Sequence, residues 1–185
     1  MNLIEEIAAH LRYQPLEKIK PINDEPAADA VINKEQLFAQ AAIPAVLVAL
    51  YKYSLSDEGA ANIIGTERTW ANNLFFNEAS QVVGTIASYS GKTEGEVQQA
   101  LPKVIEASIT KINEANSSDN TMHTVRNYLA NERNQFLPYL PPQLHMGDVL
   151  QDNTIDDKTN KMEGPVSNLI KSIGNVFDSP DDVEK

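Results

Sequence analysis

The segment from Asn33 to Tyr51 constrains the fold most, because it is apolar on nearly every side of a helix. Its apolar residues are Leu37, Phe38, Ala41, Ala42, Ile43, Val46, Leu47, Val48, Leu50 and Tyr51. Such a helix must be covered by its neighbours, so we expect it at the centre of a helical bundle. Pro44 predicts a kink or a restart, since proline removes a backbone hydrogen bond. Asn33 and Gln36 have the spacing of a variant capping box.

Helical periodicity also dominates the rest of the chain, and clean strand alternation is nearly absent. Further helices are predicted over residues 2–12, 57–64, 69–76, 78–89, 93–112 and 122–129. Gly91 suits the position just after a helix, and Thr93 with Glu96 forms a capping box. The stretch Phe136–Pro142 cannot continue a helix and is expected to pack as an irregular apolar segment that closes the core. The sequence therefore predicts an all-α fold, a compact bundle of six or seven helices.

The chain repeats part of its own sequence. Six residues of the central helix (Lys34, Gln40, Ala42, Pro44, Val46 and Ala49) reappear at the same spacing as Lys92, Gln98, Ala100, Pro102, Val104 and Ala107. Chance agreement between alanine-rich helices is the alternative explanation. A shared interior proline argues against chance, because proline is the residue that helices tolerate least. We therefore expect two related helical units, about residues 33–65 and 91–131, each with a proline-kinked central helix.

The net charge of −11 and the absence of cysteine exclude several classes of protein. Disulfide scaffolds, cysteine-ligated zinc and thiol nucleophiles all require cysteine. Nucleic-acid binding needs clustered lysine and arginine, so we expect no nucleic-acid partner. The chain opens without a signal segment, and its longest near-apolar run, Ala41 to Leu50, is half of the roughly 20 residues that span a membrane. We expect a soluble, cytoplasmic protein with no membrane span.

The composition changes after Met146, where the chain becomes polar and acidic. Residues 147–185 hold 9 acidic and 4 basic side chains, whereas the residues before them hold 17 and 11. Pro165 opens a predicted amphipathic helix over residues 165–177. The apolar stripe of this helix consists of Val166, Leu169, Ile170, Ile173, Val176 and Phe177. We expect a bundle domain over residues 1–146, followed by an acidic linker and this C-terminal helix.

This apolar stripe is the leading candidate for a functional site, since an isolated helix of this length is marginal and needs a surface to pack on. It either covers a groove of its own bundle or docks on a protein partner or a second copy. The leading hypothesis is a non-enzymatic interaction or assembly module that uses the C-terminal helix. The alternative is a small apolar ligand in a pocket between the two units at Trp70, Phe75 and Phe76, although core anchors explain these aromatics more simply.

Motifs that carry chemistry are incomplete in this sequence. Gly91 to Thr93 is like the end of a phosphate-binding loop, but Ile86 stands where that loop needs glycine, so a helix stop followed by a helix cap is the simpler interpretation. The stretch Asp152 to Glu163 has four oxygen ligands at calcium-loop spacing, but Asp157 replaces the glycine of its sharp turn. We predict no catalytic residue, metal ligand or cofactor, and a metal-dependent hydrolase is the third hypothesis.

Several structural motifs resemble one bacterial family when they are taken in order. They are Val82-Val83-x-x-Ile86, the Ser90-Gly91 helix stop, Ala100-Leu101-Pro102 and Phe136-Leu137 followed by Leu140-Pro141. Together they resemble the YidB-like family, the domain of unknown function numbered 937, over about residues 1–146. The chain is more polar and less rich in glycine than that family, and its tail after Gly147 is not part of the resemblance. The resemblance implies an all-helical bacterial protein with no established activity and supplies no catalytic residues.

Overall fold

Helices make up most of the structure, a computed structural model that describes residues 2–19, 33–75 and 79–149. The α-helices are α1 (Leu3–His10), α2 (Lys34–Ser54), α3 (Asp57–Ile64), α4 (Ala79–Ser90), α5 (Glu94–Ala115), α6 (Met122–Phe136) and the single turn α7 (Met146–Val149). Three short 3₁₀ segments cover Thr69–Asn73, Leu137–Tyr139 and Pro142–Leu144. The described part of the chain contains no strand. The predicted all-α fold is confirmed, and residues 2–19, 33–75 and 79–149 contain six helices of eight residues or more.

α2 is the central helix of the bundle and packs against α4, α5 and α6. Every residue from Phe38 to Leu50 is buried, whichever side of the helix it faces. Among the described helices, α2 is also the one that is long and apolar enough to cross a membrane, with 78% of its most apolar window buried inside the bundle. Burial on all sides is what a core helix requires, so the apolar character of α2 is explained by its packing.

Of the capping box predicted at the start of α2, the Asn33 cap is confirmed and the return contact from Gln36 is wrong. The Asn33 side chain accepts hydrogen bonds from the backbone N–H of Glu35 at 3.0 Å and of Gln36 at 3.4 Å, as an N-cap should. The Gln36 side chain does not return to Asn33. Its Nε2 instead donates to the carbonyl oxygens of Gln14 and Pro15, each at 3.3 Å. This side chain therefore holds the segment that follows α1 across the start of α2, a contact that only the tertiary fold provides.

A second glutamine of α2, Gln40, ties the same segment to the far end of the chain. Gln40 Oε1 accepts from the Glu17 backbone N–H at 3.0 Å, and its Nε2 donates to the carbonyl oxygens of Glu17 and Tyr139, both at 2.8 Å. Beside this network, the Ile19 N–H donates to the Pro138 carbonyl at 2.8 Å. The buried polar group thus has its partners, as a polar group in a core must.

Both internal prolines lie inside continuous helices. α2 runs without a break past Pro44, so the restart that the sequence allowed there is not observed. α5 likewise continues past Pro102. The two prolines differ in environment, since Pro44 is buried in the core and Pro102 is exposed to solvent.

α3 is fixed at both ends by polar side chains of the later helices. Arg126 of α6 donates from Nε to the Ser54 carbonyl at 2.9 Å, and its Nη2 lies 2.8 Å from Asp57 Oδ1. At the other end, Asn113 Nδ2 of α5 donates to the Ile63 carbonyl at 2.9 Å. These bonds satisfy carbonyl groups near helix ends and set the position of α3 against the bundle.

The junction between α4 and α5 follows its local sequence. Gly91 ends α4 with a φ of 68°, a left-handed conformation that glycine adopts without strain. The Thr93 hydroxyl accepts from the Glu96 N–H at 3.3 Å, and the Thr93 N–H donates to Glu96 Oε2 at 2.7 Å. The predicted capping box is therefore confirmed. The backbone and side-chain hydrogen bonds from Thr93 hold the pKa of Glu96 below its ordinary value of 4.5.

After α6 the chain closes the core with two 3₁₀ turns, in the place where an irregular apolar segment was expected. Its buried side chains are Leu137, Tyr139, Leu140, Leu144 and Met146. Met146 opens the single turn α7, which continues to Val149. The described helical structure therefore continues as far as Val149.

Candidate functional site

The predicted aromatic cluster is engaged in packing where the structure describes it. The Trp70 ring stacks on the Tyr53 ring, with centroids 4.8 Å apart and planes inclined by 23°. Trp70 Nε1 donates to the Glu67 carbonyl at 2.8 Å. Phe75 is buried in the core with 4% of its surface exposed, and Phe76 lies outside the described residues. These contacts favour the interpretation of Trp70 and Phe75 as core anchors.

Lys92, in the Gly91–Thr93 motif, has a buried side chain whose charge is paired. The side chain is 8% exposed, and its ammonium group forms an ion pair with the Glu35 carboxylate at the start of α2. The same ammonium lies 5.7 Å from the centre of the Phe38 ring, in the range of a cation–π contact. The motif therefore ends one helix, caps the next and ties the α4–α5 junction to α2.

A groove of about 300 Å³ lies between α4 and the 3₁₀ turn Pro142–Leu144. It is lined by Gly84, Thr85, Ser88, Tyr89 and Gln143. The groove is open to solvent, and most of its wall is formed by apolar atoms. Gly84 and Ser88 are on the side of α4 that faces away from the buried Val82 and Ile86, whereas Tyr89 is partly buried against the core. The groove is therefore a surface feature at the edge of the bundle.

The polar groups of the groove are neutral at physiological pH. The Thr85 hydroxyl donates to the carbonyl oxygens of Gln81 and Val82, both at 3.0 Å, and so is engaged with its own helix. Burial raises the pKa of the Tyr89 hydroxyl above its ordinary value of 10.0. A carboxylate lies at the rim, since a Cβ atom added to Gly84 would be 3.6 Å from Glu94 Oε1. The groove thus offers a mostly apolar floor with one negative charge at its edge.

The principal predicted site lies outside the described residues. This holds for all six residues of the C-terminal stripe, Val166, Leu169, Ile170, Ile173, Val176 and Phe177, and for the acidic stretch 152–163. Within residues 2–19, 33–75 and 79–149, no group of three or more His, Asp or Glu side chains is arranged to hold a metal ion. The described residues therefore bring together Trp70 with Tyr53 and Lys92 with Glu35, and they place Phe75 in the core. Phe76 and the C-terminal stripe lie outside them.

Sequence reasoning missed the groove, although one signal for it is present. α4 contains no charged residue, whereas each of the other five long described helices contains at least two. The exposed face of a surface helix normally carries charged side chains. The contribution of Gln143 could not be found in this way, because the turn that contains it reaches α4 only in the folded chain.

Comparison with known proteins gives no family assignment. No protein-family model matches the chain, and no curated protein or solved structure is significantly similar to it. The resemblance to the YidB-like family accordingly stays a prediction from the sequence.

Proposed function

We propose that this protein is a non-enzymatic interaction or assembly module whose binding element is the apolar stripe of residues 165–177. The observation that supports the proposal most is the continuous hydrophobic core that the described residues form between Leu3 and Met146. The bundle assembles this core from its own helices. The stripe is therefore an additional apolar surface, and an apolar helix face of this kind is a common means of docking into a groove on a protein.

The charge of the tail supports a partner with a basic or neutral surface around its groove. Residues 147–185 carry a net charge of −5, close to half of the net charge of the whole chain. Such a concentration of charge steers association and disfavours acidic partners.

Matched charge substitutions test the proposal in the full chain. Leu169→Asp with Ile173→Asp places two charges on the stripe, and Asn168→Asp with Asn175→Asp places two charges on the polar face of the same helix. We expect the first pair to abolish self-association in light scattering, or capture of a partner from the native lysate, while the second pair leaves both unchanged. Identical behaviour of the stripe variant and the unsubstituted chain in both assays would refute the proposal.

Two further features of the sequence belong to the same proposal. α2 with α3, and α5 with α6, each consist of a long helix with an internal proline followed by a shorter helix. We attribute this parallel to duplication of one helical unit. The order of the structural motifs supports a relationship to the YidB-like proteins, and a cytoplasmic location accords with the acidic, cysteine-free composition.

The alternative function, a small apolar ligand between the two units, has a different test. The Tyr53 ring already covers one face of Trp70, so a ligand there would contact the other face or displace Tyr53. Native mass spectrometry of the protein purified from its own host would show a co-purifying small molecule if this alternative holds. Trp70→Phe, which keeps an aromatic ring, should then retain the ligand better than Trp70→Ala.

A further inference from the structure

The uncharged face of α4 is unusual for a helix at the surface of so acidic a protein. Its residues Gly84, Thr85, Ser88 and Tyr89 form the floor of the groove described above, and Gln143 forms the facing wall. An apolar, concave surface with neutral polar groups is suited to receive apolar side chains from another segment.

The groove lies close to the point where the described part of the chain ends. Gln143 is six residues before Val149, and α7 occupies the last four of these residues. Fifteen residues separate Val149 from Pro165, and a chain of that length spans up to about 50 Å when fully extended. The predicted helix 165–177 is therefore within reach of the groove. A tethered segment competes for such a surface at an effective concentration on the order of millimolar.

The charge of the predicted helix is compatible with the rim of the groove. Glu94 lies beside Gly84 at the edge of the groove. Residues 164–177 contain one charged side chain, that of Lys171, and no acidic one. This segment is thus the uncharged-to-basic part of an otherwise acidic tail, and it is the part that a groove with an acidic rim would accept.

We infer that the groove holds residues 165–177 of the same chain, with the apolar stripe against α4. The inference rests on the proposed function for the role of the stripe, and it adds regulation: a partner must displace the stripe from α4 before binding it. Docking in cis lowers the apparent affinity for a partner, because the apparent affinity is the intrinsic affinity multiplied by the fraction of molecules in which the stripe is free.

Disulfide capture tests the inference directly, because the chain has no native cysteine. Ser88→Cys is in the groove, and Ser172→Cys is beside the stripe at helical spacing. The matched control combines Ser118→Cys with Ser172→Cys. Ser118 is far from the groove. It follows the C-terminal end of α5, whereas Glu94 at the groove is the first residue of that helix, which has 22 residues and a length of about 33 Å. In dilute full-length protein, we expect the groove pair to form an intramolecular disulfide at least tenfold faster than the control pair.

Each other outcome of the disulfide experiment overturns the inference. Equal rates for the two pairs would mean that the tail does not favour the groove. Disulfide-linked dimers of the groove pair, with no cross-linked monomer, would mean that the groove receives a second copy instead.

Hydrogen exchange gives a second readout that needs no new cysteine. The Leu169→Asp/Ile173→Asp variant should accelerate amide exchange over residues 84–89 about tenfold relative to the Asn168→Asp/Asn175→Asp variant. Unchanged exchange would contradict docking in cis. Neither readout involves a partner, so the two proposals can fail separately. If the disulfide forms but no partner and no self-association are found, the proposed function alone is refuted. If the stripe binds a partner but the disulfide does not form, this inference alone is refuted.

Discussion

Gln40 joins three backbone groups of two distant chain segments from inside the core. Its side chain is 7% exposed, and its partners are the N–H and carbonyl of Glu17 and the carbonyl of Tyr139. Gln98, which follows Lys92 in α5 at the same spacing as Gln40 follows Lys34, is exposed. A buried polar group that loses its hydrogen-bond partner raises the free energy of the folded state, whereas an exposed group still bonds to water. These two glutamines should therefore differ greatly in their contribution to stability.

Replacing Gln40 by alanine should lower the free energy of unfolding by about 2–4 kcal/mol, since it leaves buried backbone groups without partners and opens a cavity. Gln98→Ala is the matched control and should change the free energy of unfolding by less than about 0.5 kcal/mol. Urea denaturation followed by circular dichroism measures both. Similar midpoints for the two variants would show that the Gln40 network contributes little.

Gly59 is required by a close backbone approach at the start of α3. A Cβ atom at this position would lie 1.9 Å from the Tyr53 carbonyl oxygen, a distance that forces the backbone to move. Gly59→Ala should therefore destabilise the protein by about 3 kcal/mol or more. A Cβ atom at Gly95, near the start of α5, would meet no atom within 4 Å. Gly95→Ala should instead stabilise by about 0.5 kcal/mol in the same denaturation experiment, because alanine loses less backbone entropy. A Gly59→Ala variant as stable as Gly95→Ala would contradict the close approach.

Tyr128 makes stability depend on pH in the alkaline range. Burial, with the carboxylates of Glu132 and Glu6, raises the pKa of Tyr128 to about 12. The unfolded chain, with a tyrosine pKa near 10, loses this proton first, so the contribution to stability is complete below about pH 10 and is lost between about pH 10 and pH 12. Tyr128→Phe should therefore lose less stability than the unsubstituted chain between about pH 9 and pH 11. Urea denaturation at several pH values measures this difference. If the urea midpoints of the two proteins fall equally as the pH rises, the prediction is refuted.

At the scale of elements, the two proline-containing helices differ in the environment of their proline. Pro44 is buried in α2 on all sides, whereas Pro102 is exposed on α5. Both interrupt the backbone hydrogen-bond pattern, because proline has no N–H to donate. Only the ring of Pro44 also fills space in the core.

Pro102→Ala should raise the free energy of unfolding by about 1–3 kcal/mol, since alanine is far more favourable than proline in an exposed helix interior. Pro44→Ala gains the same kind of hydrogen bond but leaves a cavity, and it should be at least about 1 kcal/mol less favourable than Pro102→Ala. Thermal unfolding of the two variants measures the difference. The opposite order of stability would show that the Pro44 ring does not contribute to packing.

For the whole molecule, the position of the last core residues decides where the bundle can be separated from its tail. Leu144 and Met146 are 0% and 1% exposed, and both follow the last long helix. A bundle that lacks them loses two fully buried side chains. An experiment that removes the tail should therefore keep Leu144 and Met146 in the shortened chain.

A chain that ends at Val149 should keep its helical circular dichroism and unfold in one cooperative transition. A chain that ends at Leu140 should lose about 3 kcal/mol or more of unfolding free energy, because the core loses the side chains of Leu144 and Met146. Comparison of the two urea transitions checks the prediction. Equal stability of the two truncated chains would show that the final turns are not part of the core.

The sequence could be expected to predict the helices and several of their ends, because the signals for both are local. The stop at Gly91 and the cap of Thr93 with Glu96 each depend on residues within one turn. The central place of α2 could also be predicted, since a helix that is apolar all round has no other stable position in water. The site could not be predicted in the same way, because the groove needs Gln143 beside residues that lie far from it in the chain.

The sequence by itself therefore determined that the described part of the chain is helical and which helix lies at its centre. The tertiary structure alone decided which of two residues of the same type became part of the core: Gln40 and not Gln98, Pro44 and not Pro102. It also decided that the uncharged face of α4 forms a groove. The physical reason is that helical periodicity and capping act within a few residues, whereas burial depends on which helix faces meet across the bundle.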